Sequence, residues 1–269
     1  MSTQHTPAGM SKLKATLRTA LQRRGFDILR LKHEPWVYDA FKVQQQLLRD
    51  VAHPMIFDVG ANVGQTLLSY MAVLPNARIQ CFEPFPNSFK ELSAKAAGYP
   101  SASVNQLALA DQVGEQTFYT NPEYHTRNSL LPRPNSEGRR YFREKAELSP
   151  NMTVGVDTID HFRAEKNIDH IDALKLDVQG AEMMVLQGAR ETLAANAVSL
   201  VFTEILVVPH YEGGPTFQDI DSMLQDYGLS FFNIYDLRPA SNGQLRYANV
   251  IYVSRSLRAE VVDAFPPEE

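Results

Sequence analysis

From Met55 onward, short apolar segments alternate with amphipathic ones, and this alternation limits the fold more than any other feature. Met55–Val59 and Arg78–Phe82 read as strands, and Ser103–Ala110 as a third. Between them, Asn62–Leu74 (ended by Pro75) and Pro86–Ala97 (closed by Gly98) read as helices. Strands joined by helices need right-handed crossovers, which gives a parallel, doubly wound α/β sheet. The pattern resumes with strand Ala173–Val178, helix Ala181–Ala194, strand Ser199–Ile205 and helix Thr216–Asp226. Leu229–Tyr235 and Tyr247–Ser254, joined through Pro239 and Gly243, suit an antiparallel hairpin at the sheet edge.

Two regions depart from the alternation. Within 112–171, Gln116–Thr120 and Met152–Val156 are strand-like and Thr158–Lys166 is a short helix. Between the two strands lies the polar stretch Asn121–Pro150, with Pro122, Pro132, Pro134 and Pro150, expected as a long loop. It carries Arg127, Arg133, Arg139, Arg140, Arg143 and Lys145 with Tyr124, Tyr141 and Phe142. Guanidinium forks and aromatic faces can grip sugars or anionic groups, so this loop could serve as an acceptor lid. Asn128-Ser129-Leu130 within it could reach the cofactor or acceptor, and Tyr211-Glu212-Gly213-Gly214-Pro215 could form the opposite wall. At the other end, residues 1–10 read as a tail. Ser11 to about Arg24 reads as a basic amphipathic helix with Leu13, Leu17 and Leu21 in one stripe, and Asp39–Arg49 as a second helix. The expected organisation is therefore a helical extension over 1–52 and one domain over 53–269, with an insertion at 112–171.

Composition narrows the function classes. The 269 residues are long enough for one well-buried α/β domain. The longest apolar run, around Val198–Val208, is broken by Thr203 and Glu204 and falls short of a membrane span. The polar Met1–Met10 lacks a signal-peptide core, so a cytoplasmic protein is expected. A lone Cys81 excludes an intramolecular disulfide framework and a multi-cysteine zinc site. The formal charge is −5, although residues 1–32 hold seven Lys/Arg against a single Asp. The acidic body argues against a nucleic-acid partner. The basic N-terminal helix leaves open an anionic membrane surface, a partner subunit, or simple packing on the domain.

The first strand runs into Phe57-Asp58-Val59-Gly60-Ala61-Asn62-Val63-Gly64. Open α/β sheets bind ligands beyond such strand ends. A dinucleotide site would show Gly-x-Gly-x-x-Gly with a helix N-terminus free for pyrophosphate. Here the pattern is Gly-x-Asn-x-Gly preceded by Asp58, whose carboxylate would repel a pyrophosphate and welcome a cation. Glu83, nineteen residues after Gly64, ends the second strand, where a carboxylate can accept both hydroxyls of a ribose. A nucleoside with a positive group and no phosphate satisfies both, and S-adenosylmethionine fits. Asp58 would face its ammonium end, Glu83 its ribose, and Asp111 its adenine amino group. Gly60, Ala61, Asn62, Gly64 and Pro84 complete the expected cofactor cradle, with Asp177 and Gln179 beside it.

The chain resembles the FkbM-type S-adenosylmethionine-dependent methyltransferases. The resemblance rests on the Phe57–Gly64 segment, on Phe82-Glu83-Pro84 and on Val156-Asp157-Thr158-Ile159-Asp160. Its most specific block is Leu174-Lys175-Leu176-Asp177-Val178-Gln179-Gly180-Ala181-Glu182 followed by Val185-Leu186-Gln187-Gly188-Ala189. It covers roughly Met55 to Ser254 and leaves the first 50 residues out. It implies a Rossmann-like class I methyltransferase fold with a seven-stranded, mostly parallel sheet whose last strand is antiparallel. It also implies O-methylation, commonly of sugar hydroxyls in glycans or glycolipids, or of natural-product hydroxyls.

Methyl transfer from a sulfonium is an in-line displacement, so alignment supplies much of the catalysis. An alcohol also needs a base or a metal to become nucleophilic. Asp177 and Glu204 end the fourth and fifth strands of the alternating series, and Glu182 lies one turn into the following helix. These carboxylates could act as base, as hydroxyl ligand, or as oxygen ligands for Mg²⁺. His210 and His125 are further base candidates. A nicotinamide-dependent oxidoreductase is disfavoured by Asn62 and Asp58. An amine methyltransferase of nucleic acids is disfavoured by Asp177-Val178-Gln179-Gly180, which lacks the Pro-Pro-aromatic run such enzymes carry. A non-catalytic cofactor-binding module and a homo-oligomer stay open, and the expected acceptor is a small molecule or glycan.

Overall fold

The computed structural model describes residues 21, 23, 34–121, 125–134, 149–208 and 210–264, the side chains of 125, 150 and 151 excepted. The chain divides into two compact units, Met1–Val37 and Tyr38–Glu269. The expected helix over Ser11 to Arg24 lies outside the described residues, Leu21 and Arg23 apart. The second expected helix is α1 (Ala40–Leu47), capped by the Asp39 carboxylate, which accepts from the Phe41 and Lys42 amides. It belongs to the larger unit. Its Phe41 ring meets Tyr70 edge-on, with centroids 5.1 Å apart, and the Tyr70 hydroxyl donates to Gln44 at 2.7 Å.

The larger unit is built on a seven-stranded sheet. Its first half runs β1 (Met55–Val59), α2 (Gln65–Val73), β2 (Arg78–Phe82), α3 (Pro86–Ala96) and β3 (Ala102–Asn105). A small three-stranded sheet follows, of β4 (Ala108–Leu109), β5 (Gly114–Thr120) and β6 (Ser149–Asp157), ordered β4-β6-β5. The chain continues through α4 (Ile159–Glu165), β7 (Ile171–Leu176), α5 (Glu182–Gln187), α6 (Arg190–Ala194), β8 (Val198–Leu206), α7 (Phe217–Asp226), β9 (Leu229–Pro239) and β10 (Leu245–Ser254). The large sheet is ordered β3-β2-β1-β7-β8-β10-β9. All of its pairings are parallel except those of β10, which runs antiparallel to both β8 and β9. The doubly wound sheet with an antiparallel last strand is thus present, with β10 inserted between β8 and the edge strand β9.

Four expected elements differ. The strand expected over Ser103–Ala110 is two strands in two sheets: β3 pairs with β2, whereas β4 pairs with β6. The helix expected over Ala181–Ala194 breaks at Gly188. There the backbone passes so close to Ala110 that a Cβ would sit 2.0 Å from the Ala110 carbonyl oxygen. The strand expected from Met152 starts earlier, at Ser149, and takes Pro150 out of the loop. Helix α2 starts at Gln65 rather than Asn62, because Asn62 and Gly64 both have left-handed φ, 47° and 85°.

The core lies between the sheet and its helices. All five residues of β1 are buried, as expected for a strand covered on both faces. Phe57, Phe82 and Phe162 form a ring cluster with centroid separations of 4.8–5.8 Å. Their burial anchors β1, β2 and α4, and so fixes where β1 and β2 end. Among the described residues, no helix is long and apolar enough to cross a membrane.

Candidate active site

A cleft of about 300 Å³ opens beyond the carboxyl ends of β1, β2 and β7. Strand order reverses at β1, between β2 and β7, and the crevice follows from that reversal. The Gly60 and Ala61 amides donate to the Phe82 carbonyl at 3.1 and 3.0 Å, which ties the turn to β2. Gly60 has φ 81°, and a Cβ on it would lie 2.0 Å from the Asp177 carbonyl oxygen. Only glycine meets both conditions.

Glu83 lines the cleft and is 7% exposed. Its two oxygens accept from the Asn62 amide at 2.9 Å and the Phe85 amide at 2.8 Å. Burial pushes its pKa up to about 7, against the lowering influence of those amides. Gly60, Asn62, Pro84, Asp177 and Gln179 also line the cleft, as expected. Ala61 and Gly64 shape the turn without lining it. Asp111 is solvent-exposed and does not line the cleft; Ala108 and Leu109 take that wall.

Asp58 is not at the cleft surface either. It is fully buried beneath the turn, where Lys175 Nζ lies 3.1 Å from its Oδ1. The two face each other in register across β1 and β7. Lys175 Nζ also lies 3.3 Å from the Gly60 carbonyl oxygen and 3.8 Å from Asp177. Burial opposes the lysine charge, but Asp58, Asp177 and Glu204 outweigh it and raise the Lys175 pKa, while burial raises that of Asp58 against the pull of Lys175. The expected contact between Asp58 and a ligand ammonium therefore gives way to a buried ion pair bracing the turn. Lys175 received no role from the sequence. Its signal was a charge in mid-strand, within Ala173-Leu174-Lys175-Leu176, opposite the similarly placed Asp58.

The remaining carboxylates separate by partner. The 1%-exposed Glu182 accepts from the Val178 and Gly180 amides at 3.0 and 3.3 Å, a clamp on the turn that opens α5. Burial pushes its pKa up to about 7. Asp177 and Glu204 are bridged by Gln179, whose Nε2 donates to them at 2.8 and 3.2 Å. Burial first, then the charges of Asp177 and Glu182, hold the Glu204 pKa well above the usual carboxylate range. The Gln179 Oε1 accepts from the Tyr211 hydroxyl at 2.7 Å. These three residues do not converge as a metal site. Among the described residues, the one group of three such side chains with ligand atoms all within 4.8 Å of one another is Asp157, His161 and Glu165, none of which lines the cleft.

A second cleft of about 260 Å³ adjoins the first and shares Thr126 and Gln179 with it. Glu204, His210, Arg127, Arg133, Arg246 and Tyr247 also line it. His210 Nδ1 lies 2.8 Å from the Val208 carbonyl, which can only accept, so Nδ1 carries the proton and Nε2 is the acceptor. Burial, aided by the three arginines, pushes the His210 pKa down to about 4, and the ring is neutral. His125 opens a 3₁₀ turn, His125–Arg127, and its side chain lies outside the described residues. So do Tyr124, Arg139, Arg140, Tyr141, Phe142, Arg143 and Lys145. The Ser129 hydroxyl donates to the carbonyl of Gln179, a residue that lines both clefts, at 2.7 Å.

Among the described residues lining the first cleft none is basic, and two, Glu83 and Asp177, are acidic. Phe82, Leu109, Phe118 and Leu130 give it apolar walls. That donor set suits a cationic nucleoside and not a polyphosphate. A scan against protein families matches residues 58–231 to the methyltransferase FkbM domain. The chain belongs to the FkbM methyltransferase family. It is 25% identical over 222 residues to the 2-O-methyltransferase NoeI of Sinorhizobium fredii, covering 81% of this chain and 90% of that one. It is 30% identical over 156 residues to the 31-O-demethyl-FK506 methyltransferase FkbM of Streptomyces tacrolimicus, covering 51% and 60%. Among solved structures, Aeropyrum pernix fibrillarin with bound S-adenosyl-L-methionine is similar at 15% identity and a TM-score of 0.41, covering 80% and 76%. As an FkbM-family protein, this is an S-adenosylmethionine-dependent methyltransferase.

Proposed function

We propose that the enzyme methylates a hydroxyl oxygen, that of a sugar or glycan, bound in the second cleft. The observation that carries this reading is the Asp177–Gln179–Glu204 bridge, which joins the two clefts. NoeI, a 2-O-methyltransferase by name, is similar over most of both chains and supports oxygen as the acceptor.

S-adenosylmethionine supplies an electrophilic methyl group when bound. The chain's residues do the rest. Glu83 accepts the ribose hydroxyls, the apolar walls hold the base, and Asp177 faces the cationic end. Gln179 fixes the two carboxylates relative to each other, so an acceptor hydroxyl beside Glu204 is directed towards the first cleft. Glu204, with its raised pKa, would take the proton of the acceptor hydroxyl. Positioning provides most of the rate, since the displacement needs an in-line approach. The Mg²⁺ considered from the sequence has no role in this scheme, because Asp177, Glu182 and Glu204 do not bring three ligand atoms together.

The test is a methyl-transfer assay against a panel of mono- and oligosaccharides and macrolide alcohols. S-adenosylhomocysteine release and product mass are the readouts. A saccharide gaining one methyl group on oxygen is expected. Methylation confined to macrolide alcohols would replace the sugar reading, and methylation confined to nitrogen or carbon would overturn the proposal.

A further inference from the structure

The second cleft concentrates positive charge at one end. Arg127, Arg133 and Arg246 line it together, and the acid that joins them there is Glu204. The neutral His210 adds no charge. Arg133 is committed in part: its Nη1 donates to the His210 carbonyl at 2.9 Å, and its guanidinium stacks on Tyr211 at 4.1 Å. Arg246 is placed differently. Its Nη2 lies 3.5 Å from His210 Nε2 and its guanidinium 5.7 Å from the Tyr247 ring. Its Nε is buried without a hydrogen-bond partner. A buried donor left unsatisfied costs free energy, and so does gathering guanidiniums in a half-enclosed space. The mutual effect is visible in Arg133, whose pKa is lowered by burial and then by Arg127 and Arg246, partly offset by Tyr211. An oxyanion accepting from Arg246 would relieve both costs at once, because guanidinium forks match carboxylate and phosphate geometry.

We infer that the acceptor is an anionic alcohol, whose carboxylate or phosphate is held by Arg246 and Arg127 while its hydroxyl lies beside Glu204. This rests on the second cleft being the acceptor site. His210 then has a positioning role: its Nδ1–H is fixed on Val208, and its Nε2 keeps the Arg246 fork aimed into the cleft.

Binding tests this without knowledge of the natural substrate. The protein, saturated with S-adenosylhomocysteine, is titrated with D-glucuronate, glucose 6-phosphate, inorganic phosphate and glucose, followed by calorimetry and saturation-transfer NMR. Glucuronate or glucose 6-phosphate is expected to bind at least tenfold more tightly than glucose. Whichever of the two binds better separates a carboxylate from a phosphate. Arg246→Gln should weaken that binding roughly 10- to 100-fold, the range expected for a charge-assisted pair, and leave S-adenosylhomocysteine affinity unchanged. Arg127→Gln, on the 3₁₀ turn, gives the same test if Arg246→Gln does not fold. Glucose binding as tightly as the anions, no measurable anion binding, or anion affinity unchanged in both variants would each overturn the inference. Those outcomes leave O-methylation intact, because the product assay above reads it separately. Phosphate binding alone, without either sugar anion, would also overturn it, since the site would then recognise an ion and not an alcohol.

Discussion

The two clefts share Gln179 and Thr126 but are built in opposite ways. The first is acidic, lacks basic lining among the described residues, and combines the ends of β1, β2 and β7 with apolar walls from Ala108, Leu109, Phe118 and Leu130. The second is cationic and drawn from five separate stretches: the turn at His125–Arg127, the loop around Arg133, Gln179 after β7, the end of β8 through His210, and Arg246-Tyr247 on β10. One recognises a ligand whose chemistry is fixed by the reaction class. The other, on the proposed reading, takes the acceptor. The lesson is that charge, not the number of contributing segments, separates the clefts: both are assembled from side chains brought together from afar.

The contrast is sharpest under the first cleft. Lys175→Met removes the cation beside Asp58 and leaves a buried carboxylate without its counter-charge. A loss of about 3–5 kcal/mol in unfolding free energy is expected, read by denaturant titration. Asp58→Asn combined with Lys175→Met should recover most of it, since a neutral pair needs no compensation. If Lys175→Met is as stable as the wild type, the turn is not braced by this pair.

At the junction the expected effect is on rate alone. Glu204→Gln keeps the size and the contact with Gln179 but cannot take a proton. The turnover number should fall by about 100-fold or more, with S-adenosylmethionine affinity by calorimetry unchanged. An equal loss of cofactor affinity would mean that Glu204 belongs to the first cleft.

A third effect separates the clefts by pH. Glu83 has its pKa pushed from 4.5 to about 7. Ribose hydroxyls donate to the ionised carboxylate, so cofactor affinity should rise about tenfold per pH unit up to about 7 and level off above it. Folding carries the opposite sign. The folded group holds its proton to higher pH than the unfolded chain does. Its stabilising contribution is therefore full below about 4.5 and lost as pH rises through about 7. Calorimetry from pH 5.5 to 8.5 checks the first statement, and a flat profile in Glu83→Gln assigns it. His210, with its pKa near 4, should add no pH dependence to acceptor binding over that range.

How much of this was legible in the chain follows the same division. β1 and β2 were readable to the residue because strand period, Pro75 and the glycine turn are local signals. The places of Glu83 and Gly60 at the cleft were readable because they depend on distance along one βα unit. Asp58 was misplaced, since an acid before a glycine turn looks the same whether it faces a ligand or a lysine on the next strand. Only the β1–β7 register, which joins residues more than a hundred positions apart, distinguishes the two. The break at Gly188 and the split between β3 and β4 had the same origin: each depends on a backbone contact between distant segments. Arg246 carried no signal at all, because its meaning comes from Arg127, Arg133 and His210.

The smallest effect probes how the clefts are joined. The Ser129 hydroxyl donates to the Gln179 carbonyl at 2.7 Å and accepts from the Leu131 amide at 2.9 Å. It thereby fastens the loop that supplies Arg127 and Arg133 to the turn that supplies Gln179 and Asp177. Ser129→Ala deletes both bonds and should lower stability by about 1 kcal/mol. If the loop only covers the first cleft, the substitution weakens cofactor binding. If it registers the acceptor against the methyl group, cofactor affinity holds while the acceptor KM rises several-fold. The second outcome is expected, because Ser129 touches the backbone of the very residue that bridges Asp177 to Glu204.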